Sequence, residues 1–130
     1  MIEDRKKLAD LWIASSDKDW VTMNHLVVSK DYSWSLYIGH LVIEKLVKAY
    51  YIKTKGEHAL FIHDLLRLAE NCNLEMTHEQ SDWLEAITRF NLKARYEDYK
   101  SDFRMVCTPE FTAEWIEKIE KLRQWLKEKL

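Results

Sequence analysis

Two sets of residues in this sequence are of types that do chemistry. The first is His40, Glu44 and Lys48, each four residues after the last, with Lys45 alongside. On a helix that spacing puts an imidazole, a carboxylate and an ammonium on one slowly drifting stripe. Glu44 precedes Lys48, the better orientation for a helical ion pair, worth about 0.3–0.5 kcal/mol when exposed. Such a stripe is either the solvated edge of its helix or the lining of a cleft or dimer groove. The second set is Arg89 and Tyr96. In a continuous helix they face the same way, roughly 10 Å apart along the axis. The planar fork of a guanidinium suits phosphate oxygens, and a phenol can orient a substrate or accept a group. The plain alternatives are Arg89 as a partner for Asp98 or Asp102, and Tyr96 as a packing ring whose hydroxyl reaches solvent. Lys93, Arg95 and Lys100 add positive charge near Arg89, and Glu97 and Asp98 offset much of it.

Other chemistries lack their residues. No His, Cys or carboxylate set has zinc spacing, and Cys72 and Cys107 do not form a metal-spaced pair. No metal and no cofactor is expected. There is no phosphate-binding glycine loop and no nucleophile elbow. His63 stands beside Asp64 at a helix start, where capping by Asp64 is the commoner explanation. Two cysteines make no disulfide framework, so free thiols in a reducing cytoplasm are expected. The chain opens directly into charge, and no run of 18 apolar residues follows, so nothing marks export or a membrane span. A net charge of −2 gives no bulk drive toward nucleic acid or membranes, so a nucleic-acid partner would have to be caught by a local patch.

The elements that position these residues are helices. The 130 residues hold 47% apolar and 32% charged side chains, a globular mixture, but only two Gly and one Pro. Turn-rich β and Rossmann-type folds need more glycine than that, which leaves long helices joined by short loops. The expected fold is all-α, a single antiparallel bundle of about five helices over residues 1–130. Helix 1 spans 4–28, with Leu8, Leu11, Trp12, Trp20, Met23 and Val27 inward. Helix 2, from about 32 to 54 with Asp31 as candidate N-cap, is apolar nearly all round and so belongs in the middle of a bundle or in an interface. Gly56 is its stop. A short helix 3 covers roughly 63–72. Thr77 and Gln80 form a capping box that launches helix 4, with Trp83, Ile87 and Phe90 inward and Ala94 extending the stripe. Helix 4 runs at least to the low 90s, and the 96–103 stretch is either its continuation or a looped segment. Thr108-Pro109 caps and starts helix 5, which carries Phe111, Trp115, Ile119, Leu122 and Leu126 on one stripe.

In this frame the chain resembles the HEPN family of small helical bundles. The run from His40 through Glu44-Lys45 to Lys48-Ala49 is similar to that family's helix-2 signature. Trp12, Ser16, Asp19 and Trp20 match its first-helix spacing. His63-Asp64-Leu65 matches the opening of its third helix, and Thr88-Arg89-Phe90 leading to Ala94-Arg95-Tyr96 resembles its fourth-helix motif. The four matches fall in order over about residues 8–126. Each is weak alone, and four in register are fairly specific.

What the resemblance implies is RNA or nucleotide phosphate as ligand. Many family members carry Arg, four to six residues, then His, and cleave RNA without metal. The Arg stabilises the phosphorane and the His moves the 2′-hydroxyl proton. Toxin-type members that pair with a minimal nucleotidyltransferase read Arg, four residues, His, one residue, Tyr. Here Ala94 stands where that His would be, and a methyl shuttles no proton. Three roles follow. The first is a toxin-like or regulatory partner of a minimal nucleotidyltransferase, with Tyr96 accepting nucleotidyl groups. The second is a ribonuclease using Arg89 with a substitute base such as His40. The third is a non-catalytic nucleotide-binding or structural dimer. Asp19, His40, Glu44, Lys45, Lys48, His63, Asp64, Arg89, Lys93, Arg95 and Tyr96 are the candidate site residues. Six Trp and six Tyr are more large rings than one small core readily hides, and aromatic residues are enriched at interfaces. A homodimer is therefore predicted. Light scattering at tens of micromolar should give twice the 15.7 kDa chain mass, and a monomeric mass would contradict it.

Overall fold

The computed structural model describes residues 2–56 and 62–130. Among these are six helices and no strand: α1 (Ile2–Val28), α2 (Tyr32–Lys55), α3 (Leu65–Asn71), α4 (His78–Arg95), α5 (Glu97–Val106) and α6 (Pro109–Lys129). The α2 helix packs against all five others, as its all-round apolar sequence requires. Leu36, Val42, Ile43, Leu46, Val47 and Ile52 on it are fully buried. It lies close against α6 and α1 at Gly39, where an added Cβ would lie 2.6 Å from Ile119 Cδ1 and 3.2 Å from Met23 Sδ. No helix is long and apolar enough to cross a membrane among the described residues.

The helix ends follow local chemistry. α1 and α2 form a hairpin through a left-handed Lys30 (φ 67°). Lys30 N–H donates to Val27 O and Asp31 N–H to Leu26 O, the paired bonds of a Schellman ending with lysine in the usual glycine place. Gly56, also left-handed, closes α2 with its N–H on Ile52 O. Thr77 and Gln80 make both bonds of the capping box, at 3.1 and 2.9 Å. Thr108 accepts from Phe111 N–H and is followed by Pro109 at the first helical position. Asp64 accepts from Arg67 N–H and caps α3.

The all-α bundle of about five helices is found with six, one open point is settled, and one expectation needs correction. The sixth helix arises because α4 stops at Arg95 and Tyr96 is extended (φ −88°, ψ 132°), with α5 starting at Glu97. The stretch after α4 is thus neither a continuation nor a loop. Packing explains the break, since a straight α4 would carry Phe103 and Cys107 beyond the bundle. The turn at Tyr96 brings both back into the core, at 3% and 4% exposure, with the Phe103 ring 5.4 Å from that of Phe90. Phe90 in turn meets Trp115 of α6 edge-on at 5.1 Å. In α1, Leu11 faces solvent at 67% exposure, because the buried line is Ala9, Ser16 and Met23 at heptad spacing. Small residues there let α1 lie close on α2, and Ser16 Oγ donates to Val42 O across the contact.

These placements predict unequal responses to the same truncation. Leu46→Ala should destabilise the fold by about 2–5 kcal/mol, through lost transfer energy and a cavity. Leu11→Ala should change stability by no more than about 0.5 kcal/mol. Urea unfolding of the two variants checks this, and equal losses would contradict the α1 register.

Candidate functional site

The α2 stripe is not a solvated edge. His40 is fully buried, and Glu44 and Lys48 retain 3% and 7% exposure. A buried carboxylate must be paired and hydrogen-bonded, and Glu44 is both. Its Oε1 accepts from His63 Nδ1 at 2.6 Å, and Lys48 Nζ lies 3.7 Å from Oε2. Lys48 also sits 5.1 Å from the centre of the Trp12 ring on α1. His40 Nε2 donates to the His63 carbonyl at 3.0 Å, which leaves the proton off Nδ1, and that nitrogen has no partner. Burial pushes His40 below its ordinary value of 6.5, opposed by the His63 carbonyl and Glu44 and aided by His63 and Arg95. The column thus ties α2 to α1 and to the segment leading into α3. A second tie runs from Lys45 to α1, where Nζ donates to Asp19 Oδ2 at 2.6 Å and Ser15 Oγ at 2.7 Å.

The Arg89 group is arranged differently. Arg89 lies on the exposed face of α4, and its guanidinium is 3.9 Å from Glu85, not paired with Asp98 or Asp102. Lys93 is exposed as well. The break at Tyr96 ends the continuous helix that would have stacked Arg89 and Tyr96, and no hydrogen bond or ion pair joins them among the described residues. Tyr96 keeps 52% exposure at the α4–α5 joint. Arg95 Nε donates back to Asn91 O, and its guanidinium covers both Tyr37 and Tyr96, at 5.5 and 5.7 Å from the ring centres. Ala94, at 3% exposure, is a wall of the cavity described next.

That cavity was not legible in the sequence. It measures about 360 Å³ and lies between the start of α2 and α5. Ala94, Cys107, Tyr32, Ser33 and Trp34 line it, and Lys30, Lys100 and Arg104 bring positive charge to it, with Asp31 as the opposing carboxylate. Burial drives the Cys107 thiol up to about 11, so it stays protonated near neutral pH. Lys100 Nζ rests 5.4 Å from the Trp34 ring centre and bonds Glu97 at 3.3 Å. The only sequence signal for this grouping is the four-residue spacing of Lys100 and Arg104, which shares a face once α5 is known to be a helix. Among the described residues no three His, Cys, Asp or Glu side chains converge as a metal site.

Residues 9–130 match a family model described as HEPN domain. The fold is similar to the crystal structure of TT1696 from Thermus thermophilus, with a TM-score of 0.81 over 94% of this chain and 98% of that one. Sequence identity between the two is 16%, so the likeness is one of fold. Among curated proteins there is no match.

The depressed His40 has a measurable consequence. Its folded form favours the neutral ring, so its stabilising contribution is full above about pH 6.5 and is lost as the pH falls further. Stability measured by urea unfolding should decline as the pH falls from about 6.5 to 5. His40→Gln, whose amide can still donate to the His63 carbonyl, should decline less. An identical pH profile for both proteins would exclude His40 as the group responsible.

Proposed function

This chain belongs to the HEPN domain family, and we propose that it serves as the non-cleaving partner of a minimal nucleotidyltransferase. In this reading it recognises RNA or nucleotide phosphate in the cytoplasm and presents Tyr96 as nucleotidyl acceptor. The observation that carries it is the α4–α5 joint. There a methyl, Ala94, stands in the family's base position, and a half-exposed phenol follows two residues later. His40, the candidate substitute base, presents no atom to solvent and spends its Nε2–H on the His63 carbonyl. Arg89 is exposed and held only loosely by Glu85, so a phosphate can displace that contact.

The transfer needs a nucleoside triphosphate held by the partner. The Tyr96 oxygen attacks the α-phosphorus, the bond to the β-phosphate oxygen breaks, and pyrophosphate leaves. A phenol is too weak an acid to lose its proton unaided near neutral pH, so the partner supplies the base. Arg95 over the ring favours the developing oxyanion. The homodimer belongs to the same reading. Leu92, Tyr99, Met105 and Val106 are large apolar side chains left exposed beside Tyr96 on α4's end and α5, and HEPN domains commonly dimerise.

Incubation with the nucleotidyltransferase and a nucleoside triphosphate should add nucleotidyl mass to the protein, and Tyr96→Phe should abolish it. The protein alone should leave single-stranded RNA intact. Ala94→His should raise cleavage about 10²–10⁴-fold, the usual range for a general base. Arg89→Ala in that background should remove it. Vigorous cleavage by the unaltered protein, or labelling that survives Tyr96→Phe, would overturn the reading.

A further inference from the structure

Arg95 is the last residue of α4 and an exposed one, and an arginine in such a place ordinarily samples many rotamers. Here three contacts hold it. Its Nε–H donates to the Asn91 carbonyl one turn back at 3.1 Å, and Asn91 is buried at 8% exposure. Its guanidinium carbon lies 5.5 Å from the Tyr37 ring centre and 5.7 Å from that of Tyr96. The first two contacts are to the body of the bundle, and the third is to the phenol at the joint.

Tyr37 is the rigid member of this group. It stands on α2, half-buried and packed against the core cluster. The Trp34 ring meets it edge-on at 5.8 Å, and Lys100 of α5 lies 5.4 Å from the Trp34 ring centre. An aromatic side chain turns about only two bonds, so a packed ring is a fixed platform for a cation. Tyr96 has less support, being half-exposed on extended backbone between two helices. The guanidinium is therefore held from α2 and aimed at Tyr96. A cation beside a phenol favours negative charge developing on its oxygen, and most so when it is in place before that charge forms.

We propose that Tyr37 is a positioning residue: with the Asn91 carbonyl it fixes Arg95 over Tyr96 and so makes the Tyr96 oxygen a more reactive nucleophile. The inference rests on the reading of Tyr96 as acceptor, and its first test needs no nucleotidyltransferase. Failed labelling by the nucleotidyltransferase refutes that reading, whereas a Tyr96 reactivity that ignores Tyr37 and Arg95 refutes this inference alone.

The probe is N-acetylimidazole, which acetylates a tyrosine as the phenol oxygen attacks the acetyl carbon and imidazole leaves. Applied to the full chain near neutral pH, with sites resolved by peptide mass, it gives the Tyr96 rate against that of Lys121, an exposed amine on α6. Arg95→Gln, a surface change that leaves the core alone, should lower the relative Tyr96 rate several-fold. Tyr37→Met, which roughly keeps the volume without the ring, should lower it comparably. Tyr37→Phe, which keeps the ring, should retain the rate of the unaltered protein. With the nucleotidyltransferase and a nucleoside triphosphate, Tyr37→Met should lower kcat for labelling several-fold. KM for the triphosphate, which the partner holds, should not change. The proposal falls if Arg95→Gln or Tyr37→Met leaves Tyr96 acetylation at its original rate, or if Tyr37→Phe is as slow as Tyr37→Met. A Tyr37→Met defect confined to KM would also overturn it.

Discussion

Glu44 sits almost wholly inside this bundle, and a carboxylate in that position must find compensation or unfold its surroundings. Two cations or donors on different elements provide it, Lys48 on the same helix and His63 at the approach to α3. Because the hydrogen bond from His63 Nδ1 fixes that ring, the His63 carbonyl is set where His40 Nε2 can donate to it. Lys48 then lies over Trp12, which orders α1 against the same column. One buried charge thus specifies the placement of α1, α2 and the start of α3. A fully apolar column would have packed as well and would have specified the register less sharply, which is the best-attested use of buried polar groups.

The remaining consequences lie at the other end of α2. Its central stretch is committed to neighbours, while its first turn is uncapped and faces a cavity. That turn faces α5, which exists because Phe103 and Cys107 return to the core after the break at Tyr96. The break does two things at once. It closes the cavity with Lys100 and Arg104, and it exposes the Tyr96 phenol at the joint. The polar column and the cavity are therefore different places on one helix. The helix-2 motif, His40 to Ala49, marks the column and stops short of the first turn.

Some of this was readable from the residues. The central position of α2 followed from apolar side chains on every face, and the caps at Thr77 and Thr108 were local signals that tertiary structure left untouched. The break at Tyr96 carried no glycine or proline, because it is imposed by the aromatic contact of Phe90 with Phe103, a feature of packing rather than propensity. The burial of His40, Glu44 and Lys48 depended on His63 and Trp12 arriving from elsewhere in the chain. Helical spacing alone could not tell a solvated edge from a buried column. The exposure of Leu11 had the same cause, since Ala9 and Ser16 rather than larger residues mark where α1 touches α2. Lys30, Ser33 and Arg104 meet only through the fold, and no spacing in the sequence joins them.

The central claim is that the His40–Glu44–Lys48 column is scaffold and that recognition belongs to the α4–α5 joint. Amide chemical-shift mapping during titration with a mononucleotide tests it most directly. The account predicts shifts centred on Arg89–Tyr96, with the amides around Glu44, Lys48 and His63 silent. Shifts centred on Glu44, Lys48 and His63, with the joint unmoved, would contradict it.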